Sequence, residues 1–166
     1  MTSLEQLLRS RDERCLHQAG LMQRFPDKTL VCFTVSLPGA VKRDWRSLRI
    51  ADAGVAAVRD AFQVLTYEEL RDRETGFEGY FMVSDPVLDA KRTCCGIEDS
   101  HPLGRLMDLD VLEMVDGMPV PVSRERIGLE ARRCLLCGRP ARECMRSGAH
   151  SKEDLMRKID YLLNNS

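Results

Sequence analysis

Segments of helical periodicity alternate along this chain with short apolar runs rich in the β-branched residues typical of strands. Helical spacing covers residues 3–23, 42–65, 85–98 and 151–163. Strand patterns cover residues 29–37, 79–84, 105–115 and 118–123. The last two strands are joined by Asp116-Gly117, the residue pair favoured in a tight hairpin turn. Helices interleaved with strands predict an α+β fold, in which helices pack on a mixed β-sheet.

Length and charge narrow the classes of protein that this chain can be. A chain of 166 residues fits one domain. We expect an α+β core over residues 1–128 and a cysteine-rich segment with a final helix over residues 129–166 of the same domain. The 25 basic and 26 acidic residues argue against a nucleic-acid partner. No apolar run has the length of a membrane span and no signal peptide is recognisable, so we expect a cytoplasmic protein without a membrane partner.

The first candidate site is the acidic pair of Asp108-Leu109-Asp110, which lies in a strand pattern. Side chains two residues apart on a strand project from the same face, so Asp108 and Asp110 are expected to lie together. A Mg²⁺ ion between the two carboxylates would relieve their repulsion, and such a pair suits nucleotidyl transfer. Because Asp-x-Asp is a weak pattern, a solvated strand face is the alternative interpretation.

Residues suited to phosphate binding lie close to the acidic pair in the sequence or follow turns. His101 could act as a general base or donate to phosphate, Arg105 could bind phosphate through two hydrogen bonds, and Gly104 could allow close approach of the backbone. The other basic candidates are Lys42, Lys91 and Arg92. Alternatively, His101 ends a helix and the basic residues are ordinary surface charges.

The second candidate site is a cluster of three cysteines and one histidine near the C-terminus: Cys134, Cys137, Cys144 and His150. Three thiolates and an imidazole form a tetrahedral ligand set for a structural Zn²⁺. Unliganded thiols in a loop, or a redox Cys-x-x-Cys, would give the same pattern. The remaining cysteines are expected to be small core residues: Cys15, Cys32, Cys94 and Cys95.

Several blocks of the sequence resemble one known family. They are residues 38–42 (PGAVK), 75–80 (TGFEGY), 98–111 (EDSHPLGRLMDLDV) and 133–151, which includes RCLLC. These blocks are similar to those of the citrate lyase holo-acyl carrier protein synthases, also called apo-citrate lyase phosphoribosyl-dephospho-CoA transferases. A related malonate decarboxylase enzyme is similar in its Asp-x-Asp pair, which supports a role for Asp108 and Asp110.

The resemblance implies a nucleotidyltransferase reaction. The donor would be 2′-(5″-triphosphoribosyl)-3′-dephospho-CoA, and the acceptor would be a serine of the citrate lyase acyl carrier (gamma) subunit, with release of diphosphate. Two other functions are compatible with the residues alone. One is a non-catalytic zinc module that binds RNA or protein through its arginines, although the near-neutral charge argues against RNA. The other is a redox protein that uses Cys134 and Cys137, although no βαβ unit begins at this motif.

Overall fold

The computed structural model describes residues 4–63 and 65–166, apart from the side chains of Leu4 and Leu7. In chain order its elements are α1 (Leu4–Arg24), β1 (Thr29–Val35), α2 (Trp45–Ala61), β2 (Leu65–Arg73), β3 (Gly76–Val83), α3 (Val87–Ser100), β4 (Met107–Val115), β5 (Met118–Pro121), α4 (Ala141–Ser147) and α5 (Lys152–Asn164). Short 3₁₀ turns cover Gly104–Leu106 and Arg124–Ile127. Ser3, with which the first helix was expected to begin, lies outside the described residues.

The five strands form one sheet in the order β2-β3-β1-β4-β5, which confirms the α+β class. The expected mixed sheet is replaced by four antiparallel pairings. The helical crossovers β1-α2-β2 and β3-α3-β4 do connect strands of the same direction, as such crossovers must. However, β3 lies between β1 and β2, and β1 lies between β3 and β4. Each pair of parallel strands is therefore separated by an antiparallel one.

The main differences from the sequence prediction have physical reasons. The helix expected over residues 42–65 ends at Ala61, and the polar stretch that follows it forms strand β2. This strand lies at the edge of the sheet, where polar side chains such as Glu69 and Arg71 are paired with each other instead of buried in the core. The strand expected from residue 105 begins at Met107, because the three residues before it form a 3₁₀ turn. The region between β5 and α5 also contains the short helix α4.

Two apolar layers hold the sheet. On one face, side chains of β1, β3 and β4 pack against α2, α3 and α5, and Ile159 and Leu163 of α5 are fully buried there. On the opposite face, Leu21 of α1 packs against Leu30, Met82 and Leu112.

The hairpin between β4 and β5 has the expected type I′ geometry, with positive φ at Asp116 and Gly117. No helix in the described part of the chain is long and apolar enough to cross a membrane.

The first half of β4 carries the acidic pair Asp108 and Asp110. Strand β5 pairs only with the second half of β4, from Leu112 onward. Helix α3 runs beside the first half, and the carboxylate of Glu98 accepts a hydrogen bond from the Leu109 N–H at 2.9 Å. A helix side chain thus satisfies a backbone donor that would otherwise pair with a neighbouring strand.

Candidate functional site

The carboxylates Asp108 and Asp110 project from the same face of β4, as the strand pattern predicted. They lie opposite Thr34 and Cys32 of β1, whereas Leu109 between them is buried in the main core. The Asp108 side chain is 50% exposed. The pKa of Asp110 rises to about 6, because the carboxyl is partly buried and the charge of Asp108 repels its ionised form.

Few groups in the described structure neutralise the negative charge of this acidic pair or donate hydrogen bonds to it. The Asp110 carboxylate has no hydrogen-bond partner among the described residues, and Asp108 has one long contact, to Arg132 Nη1 at 3.4 Å. The charges of Lys91 and Arg132 favour the ionised form of Asp110, but burial has the larger effect. Two neighbouring carboxylates with spare acceptor capacity fit a hard divalent cation such as Mg²⁺.

Lys91 of α3 is the predicted basic residue that the structure brings to the acidic pair. It is only 5% exposed, and no ion pair or hydrogen bond to its ammonium is found in the described part of the chain. Its positive charge favours the ionised forms of Asp110 and Glu98. Its neighbour Arg92 lies on the exposed side of α3 and pairs with Asp89.

Arg132 enters the site from the cysteine-rich segment, where its sequence position beside the cysteines did not predict a contact with the acidic pair. Its Nη2 donates to the backbone oxygens of Arg105 at 2.8 Å and Met107 at 2.5 Å. It therefore fixes the turn that leads into β4 and at the same time reaches Asp108. This contact could not be predicted from the sequence, because Arg132 is 24 residues away from Asp108 along the chain.

Glu98 organises the positive charges next to the acidic pair. Burial raises the pKa of this carboxyl, which is only 4% exposed. Besides the Leu109 N–H, it accepts from Arg124 Nη1 at 3.2 Å and lies 3.9 Å from Arg132 Nη1. Asp99 also binds Arg124, on its other nitrogen. Neither Glu98 nor Arg124 was a candidate from the sequence.

A groove of about 490 Å³ lies between the start of β4 and the cysteine-rich segment. Its lining residues are Asp99, Arg105, Arg124, Leu129, Glu130, Ala131, Arg132, Arg133 and Cys134. The predicted phosphate-binding residue Arg105 is thus placed within reach of Arg132 and, through it, of Asp108. Burial and the nearby charge of Arg132 lower the pKa of Arg105.

His101 and Gly104 have structural roles in the turn that precedes Arg105. His101 is the C-cap of α3, and its Nδ1 accepts from the Leu103 N–H at 3.0 Å. In the neutral ring Nε2 then carries the proton, so it can donate to phosphate but cannot act as a base. A Cβ at Gly104 would lie 2.4 Å from the Ile97 carbonyl oxygen, so this glycine allows the turn to approach α3.

The predicted basic residue Lys42 is occupied within its own loop. Its Nζ donates to the backbone oxygen of Leu37 at 2.6 Å, and burial lowers its pKa. Lys42 and Arg92 do not line the groove.

The structure brings together all four residues of the predicted metal site. One ligand atom from each of Cys134, Cys137, Cys144 and His150 lies within 4.8 Å of the others. Tetrahedral zinc with Zn–S bonds of about 2.3 Å places sulfurs about 3.8 Å apart. The Sγ atoms of Cys137 and Cys144 are 3.5 Å apart, close to that value. All seven cysteines are free thiols, and Cys32, Cys94 and Cys95 are buried as expected, whereas Cys15 is partly exposed.

Local structure explains how the four ligands meet. The Cys134 N–H donates to the Arg139 carbonyl, which closes the Cys-x-x-Cys turn, and α4 carries Cys144. The His150 Nε2 is buried without a hydrogen-bond partner. Hydrogen bonds from Arg139 and His150 lower the pKa of Cys137 to about 6, whereas burial raises that of Cys144 to about 11. A thiolate, further thiols and an orphaned imidazole nitrogen fit a metal such as zinc.

The sequence of this chain matches proteins of one family. Residues 2–166 match the family described as apo-citrate lyase phosphoribosyl-dephospho-CoA transferase. A protein of Vibrio cholerae serotype O1 (strain M66-2) is 40% identical over 165 residues, which cover 96% of this chain and 90% of that protein. One of Streptococcus pyogenes serotype M18 is 35% identical over 163 residues, which cover 97% and 85%. Both are named "Probable apo-citrate lyase phosphoribosyl-dephospho-CoA transferase".

Proposed function

This chain belongs to the family of apo-citrate lyase phosphoribosyl-dephospho-CoA transferases, and we propose that it attaches the prosthetic group of citrate lyase. In this reaction the serine hydroxyl of the acyl carrier (gamma) subunit attacks 2′-(5″-triphosphoribosyl)-3′-dephospho-CoA. The phosphoribosyl-dephospho-CoA part is transferred to the serine oxygen, and diphosphate is released. The reaction class would be nucleotidyl transfer. The observation that carries this proposal is the uncompensated acidic pair beside a groove lined with arginines.

The acidic pair supports a metal-assisted mechanism. Asp108 and Asp110 would hold Mg²⁺, which supplies positive charge for the phosphates of the donor. Lys91 would contribute positive charge near Asp110, and Arg105 would contribute a guanidinium in the groove. His101 would donate from Nε2 to a phosphate oxygen. Positive groups fixed in place before the reaction stabilise charge that develops on the phosphates and on the leaving diphosphate.

Mass spectrometry of the carrier subunit tests this function. The protein, the apo carrier, the donor and Mg²⁺ are incubated together, and the carrier should gain the mass of the phosphoribosyl-dephospho-CoA group. Asp110→Asn should reduce the rate by roughly 10³-fold, about 4 kcal/mol of transition-state stabilisation. Glu113→Gln is the matched control, because Glu113 follows on the same strand but pairs with Arg126. A carrier of unchanged mass would refute the function, and full activity of Asp110→Asn would refute the role of the pair.

The cysteine cluster supports a structural zinc site. Four protein ligands leave no open position for substrate, so zinc at Cys134, Cys137, Cys144 and His150 would stabilise the segment without taking part in the chemistry. Protein purified without chelator should contain one zinc per chain, and Cys137→Ser should lose it. Cys15→Ser, which changes a cysteine outside the cluster, is the control. Less than about 0.2 zinc per chain would contradict the site, because closed four-ligand sites bind tightly.

A further inference from the structure

Two sulfurs of the cysteine cluster are in direct contact. The Sγ atoms of Cys137 and Cys144 lie 3.5 Å apart, and both residues are free thiols. Cys137 is partly exposed, whereas Cys144 of α4 is buried, with 5% of its surface exposed. Sulfurs in a disulfide are about 2.05 Å apart, so a further approach of about 1.5 Å would bring this pair to bonding distance.

The exposure of the two sulfurs assigns them different roles in an oxidation. An oxidant must reach the first sulfur from solvent, which the exposure of Cys137 allows and the burial of Cys144 prevents. The second sulfur needs only to touch the first, and Cys144 does so. An accessible cysteine beside a second, resolving cysteine is the arrangement typical of redox-sensitive sites. Cys15 is also partly exposed, but it has no sulfur contact with any described residue.

A disulfide at this pair is incompatible with the proposed zinc site. The site has four candidate ligands, and the bond would consume two of them. Only Cys134 and His150 would remain, which is half of the ligand set that a structural zinc ion requires. Oxidation of the pair and tight binding of zinc therefore exclude each other.

The backbone connects the cysteine pair to the acidic pair. The Ala141 N–H at the start of α4 donates to the Arg132 carbonyl oxygen at 2.8 Å. The Arg132 side chain in turn binds backbone oxygens of the turn before β4 and contacts Asp108. A movement of α4 that brings its cysteine to bonding distance would therefore displace Arg132 and loosen its hold on this turn.

We propose that Cys137 and Cys144 form a redox-sensitive modification site, where a peroxide converts the two thiolates to a disulfide and thereby releases the bound zinc. The Cys137 thiolate attacks one oxygen of hydrogen peroxide, and the O–O bond breaks to give a sulfenic acid and hydroxide. The Cys144 thiolate then attacks the sulfenic sulfur, and the S–S bond forms as the S–O bond breaks and a second hydroxide leaves. The two sulfurs lose two electrons, the peroxide gains them, and two protons from solvent convert both hydroxides to water.

The modification step goes beyond the transfer reaction and needs neither donor nor carrier. The release of metal rests on the proposed zinc site, and any effect on the rate of transfer rests on the proposed function. Through Arg132, oxidation should slow modification of the carrier by about tenfold. A thiol reductant together with added zinc should restore the rate, because the disulfide is reversible.

Treatment of the zinc-containing protein with hydrogen peroxide tests the modification site directly. A chromogenic chelator should detect the release of one zinc for every two thiols lost. Trypsin digestion without reductant should then yield residues 134–142 joined to residues 143–146, and fragmentation in the mass spectrometer should place the bond between Cys137 and Cys144. A bond between Cys134 and Cys137 would instead lie within the first peptide. Cys15→Ser is the matched control, and it should release zinc and form the same disulfide at the rate of the wild type.

The results separate this proposal from the proposed function. The site is overturned if millimolar peroxide leaves the thiols reduced, if the disulfide joins other cysteines, or if the disulfide forms while zinc stays bound. The reduced protein is assayed in parallel for modification of the carrier. An inactive protein with the mapped disulfide and released zinc would support the modification site and refute the transferase function. An active protein that resists peroxide would refute the modification site and support the transferase function.

Discussion

Asp110 shows at the scale of a single residue how a candidate site residue can lower stability. Its carboxyl is partly buried beside Asp108, and both the burial and the neighbouring charge disfavour its ionised form. At pH 7.5 in the absence of divalent cations, Asp110→Asn should therefore increase the free energy of unfolding by about 1–3 kcal/mol. Urea unfolding of both proteins measures this difference. A less stable Asn variant would mean that Asp110 makes a favourable contact that its surroundings do not indicate.

His101 should make stability depend on pH. Burial lowers its pKa below the usual value of 6.5, because the imidazolium is poorly solvated. As pH falls through 6.5, the unfolded chain binds a proton at this residue before the folded protein does, so acidification favours unfolding. In His101→Asn, the Asn oxygen can still accept from Leu103 but does not titrate.

Unfolding experiments at pH 8 and pH 5.5 test the role of His101. The wild type and His101→Asn should have similar stability at pH 8, and the variant should lose less stability at pH 5.5. Equal losses in the two proteins would show that the protonation of His101 is not linked to folding. The comparison between the two proteins cancels the contribution of other titrating groups.

Single residues of the site were predictable where the pattern was local. Two acidic residues at the spacing of a strand placed Asp108 and Asp110 on one face, and the spacing of cysteines and histidine brought four ligand atoms together. Glu98, Arg124 and Arg132 could not be found in this way. Their importance comes from contacts across 11 to 28 residues of chain, which depend on how α3 and the cysteine-rich segment pack around β4.

At the scale of elements, the turn between α3 and β4 depends on a glycine. A Cβ at Gly104 would lie 2.4 Å from the backbone oxygen of Ile97 and 2.5 Å from that of Glu98. Backbone atoms cannot yield as a flexible side chain can, so Gly104→Ala should lower the free energy of unfolding by about 1–3 kcal/mol or more. It should also reduce transferase activity, because the turn carries Arg105 and leads into the acidic pair.

Gly96, on the helix α3 that precedes this turn, provides a control for the same chemical change. It is exposed, and a Cβ there would meet nothing within 4 Å. Gly96→Ala should therefore stabilise the protein by about 0.5–1 kcal/mol through helix propensity. Thermal unfolding of both variants decides the matter, since opposite signs are expected for the same chemical change. Two variants of equal stability would indicate that the turn relaxes away from α3.

Elements were predictable where one hydrophobic period dominated, as in β1, α3 and the β4–β5 hairpin. Strand β2 was not predicted because its residues are mostly polar, as in a loop. In the structure these side chains form hydrogen bonds with one another and with α1 at the sheet edge, for example between His17 and Glu69 at 2.8 Å. The short helix α4 was not predicted because seven residues are too few to show a helical period. The sheet is antiparallel because β3 lies between β1 and β2 and β1 lies between β3 and β4. No local sequence pattern indicates this strand order.

At the scale of the whole molecule, the cysteine-rich segment and the α+β core form one connected structure. Arg132 caps backbone oxygens of the turn before β4, two residues before the proposed zinc ligand Cys134. At the other end of the segment, α5 buries Ile159 and Leu163 in the main core. Asp160 of α5 binds Arg46 of α2 at 2.5 Å. The four candidate metal ligands thus lie in a segment attached to the core on both sides, and the Arg132 attachment contributes to the wall of the groove.

This connection predicts that loss of metal impairs the proposed transfer reaction at a distance from the ligands. Cys137→Ser should release the proposed zinc and loosen the segment that carries Arg132, which contacts Asp108. The rate of carrier modification should then fall by about tenfold, although Cys137 does not line the groove. Circular dichroism should show that the sheet persists, because the core of β1, β3 and β4 is buried independently of this loop. Cys15→Ser should retain both zinc and activity. If zinc-free Cys137→Ser modifies the carrier as fast as the wild type, the core alone holds the turn before β4 and the proposed metal site stabilises only its own segment.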